Sequence, residues 1–209
     1  MSIPTPASRP NPDWQKLSAR LTAAGHDVAA LNSQRLYVCA LRGLFSRSIG
    51  APGNDINAYD DALYVVIPQA SGDPRVVTFN ANTDPTRYGW NASAGKYMAR
   101  LKAGRYKMRY RLHGGRYWAF GQDGSPVTVE RIRQDGSVAE TETGSFGIDL
   151  HPGGLNTTSS EGCQTVPREQ WTELRRLLVD TIGREWFPYV LMEEEAPQPK
   201  PKKPKASDG

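Results

Sequence analysis

The sequence predicts a mainly β domain with flanking helices, built on a mixed, largely antiparallel sheet or a β-sandwich. Three observations carry that expectation. Short apolar or β-branched runs recur between Gly, Pro, Asn and Asp residues. One of them, 105–113, alternates Tyr106, Met108, Tyr110 and Leu112 with Lys107, Arg109, Arg111 and His113, the period of a strand with one buried and one basic face. Asp123-Gly124 and Asp135-Gly136 supply hairpin-type turns between later runs.

Taken in order, residues 1–12 carry four prolines and read as an extended leader. Asn11 followed by Pro12 suits an N-cap with proline at the first helical position, and Trp14, Leu17 and Leu21 recur at helical steps until Gly25 offers a left-handed stop. Beyond Asp27 the pattern shifts to strands, expected at 36–41, 63–67, 76–79, 105–113, 117–120, 127–132 and 146–150. A second helix is signalled by Pro167 and by the stripe Trp171, Leu174, Leu178 and Ile182. These elements make 13–192 a single domain without internal repeats. From 193 to 209 acids, prolines and lysines dominate, so this stretch is expected to be a disordered tail.

At 209 residues, with 38% hydrophobic content, the chain can bury a core without disulfide or metal staples. Cys39, among apolar neighbours, reads as a small core residue. No apolar run approaches the roughly 18 residues that span a bilayer, so no membrane insertion is expected. Residues 1–20 lack a signal-peptide pattern, which implies synthesis in the cytoplasm and another delivery route for any work outside it. The net charge of +4 belongs to the body, because the tail's four lysines balance its four acids. Mild basicity without a nucleic-acid motif gives no reason to expect a nucleic-acid partner. Oligomeric state has no signal in the sequence.

The chemistry concentrates in 144–167, GSFGIDLHPGGLNTTSSEGCQTVP, where a strand ending in His151 leads through a glycine- and hydroxyl-rich loop to Cys163. A thiol attacks as thiolate, and a neighbouring histidine or helix N-terminus lowers its pKa. The helix at Pro167 is expected to direct its free amides toward this loop, with Gly162 and Cys163 forming an oxyanion hole. Strand alternation puts Asp149 and His151 on one open face, with His113 a second imidazole able to enter the site. Either histidine could be the base, and His151 is preferred. Ser160, Arg109 and Arg111 are further candidates for holding substrate, the guanidinium groups matching carboxylates. The four residues His113, Asp149, His151 and Cys163 include acceptable zinc ligands, but HExxH and CxxC spacings are absent, so no metal or other cofactor is expected.

A histidine closing a strand, followed by Ser160-Glu161-Gly162-Cys163 ahead of a helix, resembles the catalytic domain of the L,D-transpeptidase (YkuD-like) family. The segment FNANTDPTRYGW at 79–90 is loosely similar to the stretch that precedes the active-site strands there. The resemblance implies a fold of that type and a peptidoglycan or muropeptide substrate. It makes Cys163 the nucleophile and His151 the base, oriented by a backbone carbonyl, with a thioester formed at the bond following diaminopimelate. Glu161 stands where the family commonly has a second histidine, and Thr165 where it has an arginine. Those departures weigh against transpeptidation and toward hydrolysis, as an L,D-carboxypeptidase or endopeptidase of a phage or an antibacterial effector, reaching the wall through a holin or secretion machine. A transpeptidase, or a wall-binding or virion structural module without catalysis, are the alternatives.

Overall fold

The computed structural model describes residues 2–46, 49 and 56–194. Of the expected tail, all but Glu193 and Glu194 therefore lies outside the described residues. After the leader come α1 (Trp14–Ala23) and α2 (Val28–Asn32), then β1 (Tyr37–Arg42), β2 (Asp61–Ile67), β3 (Arg75–Ala81), β4 (Trp90–Asn91), β5 (Lys96–Leu101) and β6 (Gly104–His113). There follow β7 (Tyr117–Gln122), β8 (Val127–Ile132), β9 (Val138–Gly144), β10 (Asp149–Pro152), β11 (Gln164–Val166), α3 (Arg168–Ile182) and β12 (Trp186–Glu193).

The fold is mainly β. An eight-stranded mixed sheet runs β11-β10-β7-β6-β12-β1-β2-β3, and β4-β5-β8-β9 form a smaller antiparallel sheet. Only β1–β12 and β10–β11 pair in parallel within the larger sheet. Its two ends then meet: Asn82, just past β3, exchanges both backbone hydrogen bonds with Thr165 of β11 at 2.8 Å each. The sheet nearly closes on itself, and the loop carrying Cys163 lies at the seam.

Two apolar clusters fill the two faces. In the larger, Phe79, Met108, Phe120 and Tyr189 meet Leu174, Leu178 and Ile182 of α3 and Leu101 and Val129 of the smaller sheet. In the other, Leu17, Leu21 and Leu31 of α1 and α2 cover Tyr37, Cys39, Val190 and Met192. Cys39 is fully buried, and burial pushes its thiol well above the ordinary range.

Local chemistry accounts for the departures from the sequence expectation. Asp13, not Asn11, caps α1, because its carboxylate reaches the Lys16 amide at 3.0 Å. The five-residue α2 is capped in the same way by Asp27 on Ala30 and is too short to show a periodic stripe. Pro188 argues against a central strand, yet β12 lies between β6 and β1. The ladder to β1 begins only at Tyr189, so the missing N–H falls at its start.

Candidate active site

Strand β10 begins at Asp149 rather than at 146, because Gly147 turns the chain with φ +69°. The amides of Phe146 and Ile148 donate instead to Gln122 Oε1 at 3.0 and 3.1 Å. Pairing of Leu150 with Gln164 and of His151 with Thr165 sets Cys163 level with Asp149. On the other side, Asp149 pairs with Gly121 of β7, which pairs with Arg109 of β6. Four strands thus converge on one patch. A cleft of about 630 Å³ opens there between the two sheets, lined by His113, His151, Gly147, Ser160, Glu161, Gly162 and Cys163, and opposite them by Tyr97, Ala99 and Arg131.

The hydrogen bonds define the state of each imidazole. His151 Nδ1 lies 2.8 Å from the Pro152 carbonyl, which can only accept, so Nδ1 carries the hydrogen and Nε2 the lone pair. Tyr117 Oη approaches the same Nδ1 at 3.3 Å. His113 Nδ1 lies 2.5 Å from Asp149 Oδ2, whose other oxygen is 3.6 Å from Arg111 Nε. Asp149 is 1% exposed and fits only because Gly121 has no side chain: a Cβ there would stand 1.5 Å from Asp149 Oδ1. The two imidazole centroids are 4.6 Å apart. One ring nitrogen of each histidine and the Cys163 sulfur lie within 4.8 Å of one another. His151 Nε2 is buried and, among the described residues, has no hydrogen-bond partner.

Burial sets the electrostatics. It pulls His151 down to about 4, against the Pro152 carbonyl, which favours the charged ring. It pushes the Cys163 thiol up to about 12, opposed by a backbone hydrogen bond from Asp149. At neutral pH the pair therefore rests as thiol and neutral imidazole. The expected lowering of the thiol pKa is thus reversed, and the helix does not supply it: β11 separates Cys163 from the start of α3 at Arg168.

The loop is held by its own hydroxyls. Ser160 Oγ donates to the Cys163 carbonyl at 2.7 Å and accepts from the Gly162 amide at 3.1 Å, so that amide is already engaged. Ser160 N and O both bond to Thr86, at 2.8 Å each, which ties the loop to the 79–90 segment. Gly162, at φ +144°, backs onto β5, where a Cβ would meet Ala99 Cβ and O at 3.0 Å. Ser159 occupies the left-handed region at φ +58°, a strained conformation beside the cleft.

The structure thus brings Cys163, His151, His113, Gly162 and Ser160 to the cleft wall. Asp149 sits behind His113, and Arg111 is spent on Asp149 and the Gln122 carbonyl rather than facing the cleft. Arg109 is exposed and does not line it. Sequence reasoning missed Tyr117, Thr86 and the wall from the smaller sheet. Tyr117 was within reach, because the Gly114-Gly115 turn places it directly across from His113. Compared with family models, with curated proteins and with solved structures, the chain matches none.

Proposed function

We propose that the protein is a cysteine peptidase that hydrolyses peptidoglycan stem peptides, with a fold of the L,D-transpeptidase type. The observation that carries this reading is the Cys163 thiol in an open cleft beside an imidazole whose Nδ1 is held by the carbonyl of the next residue. The resemblance of His151 and Ser160 to Cys163 to that family supplies the substrate class. His151 Nε2 takes the S–H proton as the sulfur attacks the stem-peptide carbonyl, so no standing thiolate is required. Because the Gly162 amide is engaged by Ser160, the Cys163 amide is the local donor for the oxyanion. On collapse, His151 returns the proton to the departing amine and a thioester remains. Water, deprotonated by the same nitrogen, then releases the acid and the thiol.

Thr165 favours water as acceptor: it is buried, with its backbone committed to the seam, where the family carries an arginine. Asp149 and Arg111 fix the His113 ring. The site of action would be the bacterial wall or periplasm. The test is incubation of purified muropeptides with wild type and Cys163→Ala, read by mass spectrometry. Loss of terminal D-alanine or of a cross-link with wild type alone is the expected result. Exchange of a free D-amino acid into the stem would assign a transpeptidase, and no product from either protein would leave a binding module.

A further inference from the structure

We propose that His113, His151 and Cys163 form a zinc-binding site that competes with the thiol's chemistry. The three donors come from β6, from β10 and from the loop before β11, so no spacing motif could reveal them. Their ligand atoms lie within 4.8 Å of one another. Tetrahedral zinc with two nitrogens and one sulfur needs separations of about 3.4 to 3.6 Å, so side-chain closure of about 1 Å suffices.

The surroundings of the donors point the same way. Zinc-bound imidazoles donate their other N–H to a carboxylate or a backbone carbonyl, and the two rings here do one each, to Asp149 and to Pro152. That leaves Nε2 as the lone-pair atom on both. On His151 it is a buried nitrogen without a partner, pointing to a ligand that the apo chain does not supply. A thiolate with two imidazoles is a soft set that suits zinc over magnesium or calcium. The thiolate offsets part of the ion's charge, and Asp149, paired with Arg111, holds the His113 ring in place.

On binding, the S–H proton passes to solvent, a sulfur–zinc bond forms and both imidazoles bind through lone pairs; no oxidation state changes. The ion then occupies the lone pair and the sulfur that attack would use.

Binding is measured on the full chain, stripped of metal under reducing conditions and titrated with zinc against a chromogenic chelator. Cobalt serves as the spectroscopic probe. One ion per chain is expected, with thiolate-to-cobalt charge transfer and tetrahedral d–d bands. Cys163→Ser and His113→Gln should each weaken zinc at least tenfold while retaining the wild-type circular dichroism. Zinc should also protect wild-type Cys163 from iodoacetamide, a readout that needs no variant. Failure of one-to-one binding, or binding that both variants and alkylation leave unchanged, overturns the site. Peptidase activity of the metal-free chain is scored separately: zinc binding without cleavage keeps the site and removes the peptidase, and cleavage without zinc binding does the reverse.

Discussion

Gly121→Ala tests the packing behind the histidines. The added methyl would stand 1.5 Å from Asp149 Oδ1, 2.7 Å from its Cγ and 2.9 Å from Arg111 Cδ. The Arg111 stem can swing away, but Asp149 is 1% exposed and its carboxylate is held by His113, so moving it aside breaks that bond. Overpacking costs about 1 to 3 kcal/mol, and loss of the charge-assisted bond to His113 about 1.5 to 3 kcal/mol more. The sum, about 2.5 to 6 kcal/mol, is a large part of a domain's stability. Urea unfolding of Gly121→Ala, Asp149→Ala and the double variant gives the coupling. Once the carboxylate is gone the new methyl has room, so the double variant should be no less stable than Asp149→Ala alone, a coupling of about 2 kcal/mol or more. Additive losses, or a single Gly121→Ala variant within about 0.5 kcal/mol of wild type, would refute the close approach of β7 and β10.

Further outcomes follow from the charges. With its thiol pushed up to about 12, Cys163 should react with iodoacetamide at least tenfold more slowly than free cysteine at pH 7, accelerating to pH 10 without a plateau. On the proposed mechanism His151, held neutral down to about pH 4, keeps the base limb of kcat/KM below pH 6, because the competent form is lost only as pH falls through that lowered value. An alkylation plateau near pH 7, or a base limb at 6.5, would contradict the buried, neutral pair. Arg42 is 6% exposed and holds the Thr83 carbonyl at 2.8 Å, the Leu101 carbonyl at 2.9 Å and Asp84 at 3.4 Å. Arg42→Leu should cost about 3 to 5 kcal/mol in urea unfolding. Burial, and then the neighbouring Asp84 carboxylate, push Asp61 well above the usual carboxylate range, so its protonated form is favoured on folding and its contribution to stability falls as pH rises from the ordinary carboxylate value toward that raised one. The loss in Arg42→Leu should therefore be larger at pH 8 than at pH 5, and an equal loss would show that the carboxylates do not feel this guanidinium.

The alternation from Tyr106 to His113 and the stripe from Trp171 to Ile182 made β6 and α3 readable, because each is a local pattern that one buried face imposes. Strand β9 was not readable: its VAETETG is half-exposed and carries no apolar period. Strand β12 was hidden by Pro188, whose tolerance depends on where the β1 ladder starts. At the site, Cys163, His151 and His113 stood out by residue type. The Asp149–His113 bond did not, since it depends on the register of three strands and on the missing side chain of Gly121. The direction of the thiol shift was misjudged for a related reason: desolvation is a property of what covers the sulfur, which adjacent letters do not encode.

The Asn82–Thr165 seam has a temporal meaning as well as a spatial one. Contacts between segments so distant in sequence form slowly, because loop entropy is lost before they contribute. Strand β11 acquires its second neighbour only when this junction zips, and that is when the loop bearing Cys163 becomes fixed. During refolding, the native slow alkylation of Cys163 should return only after the bulk of the sheet signal, the cleft being the last part of the chain to set.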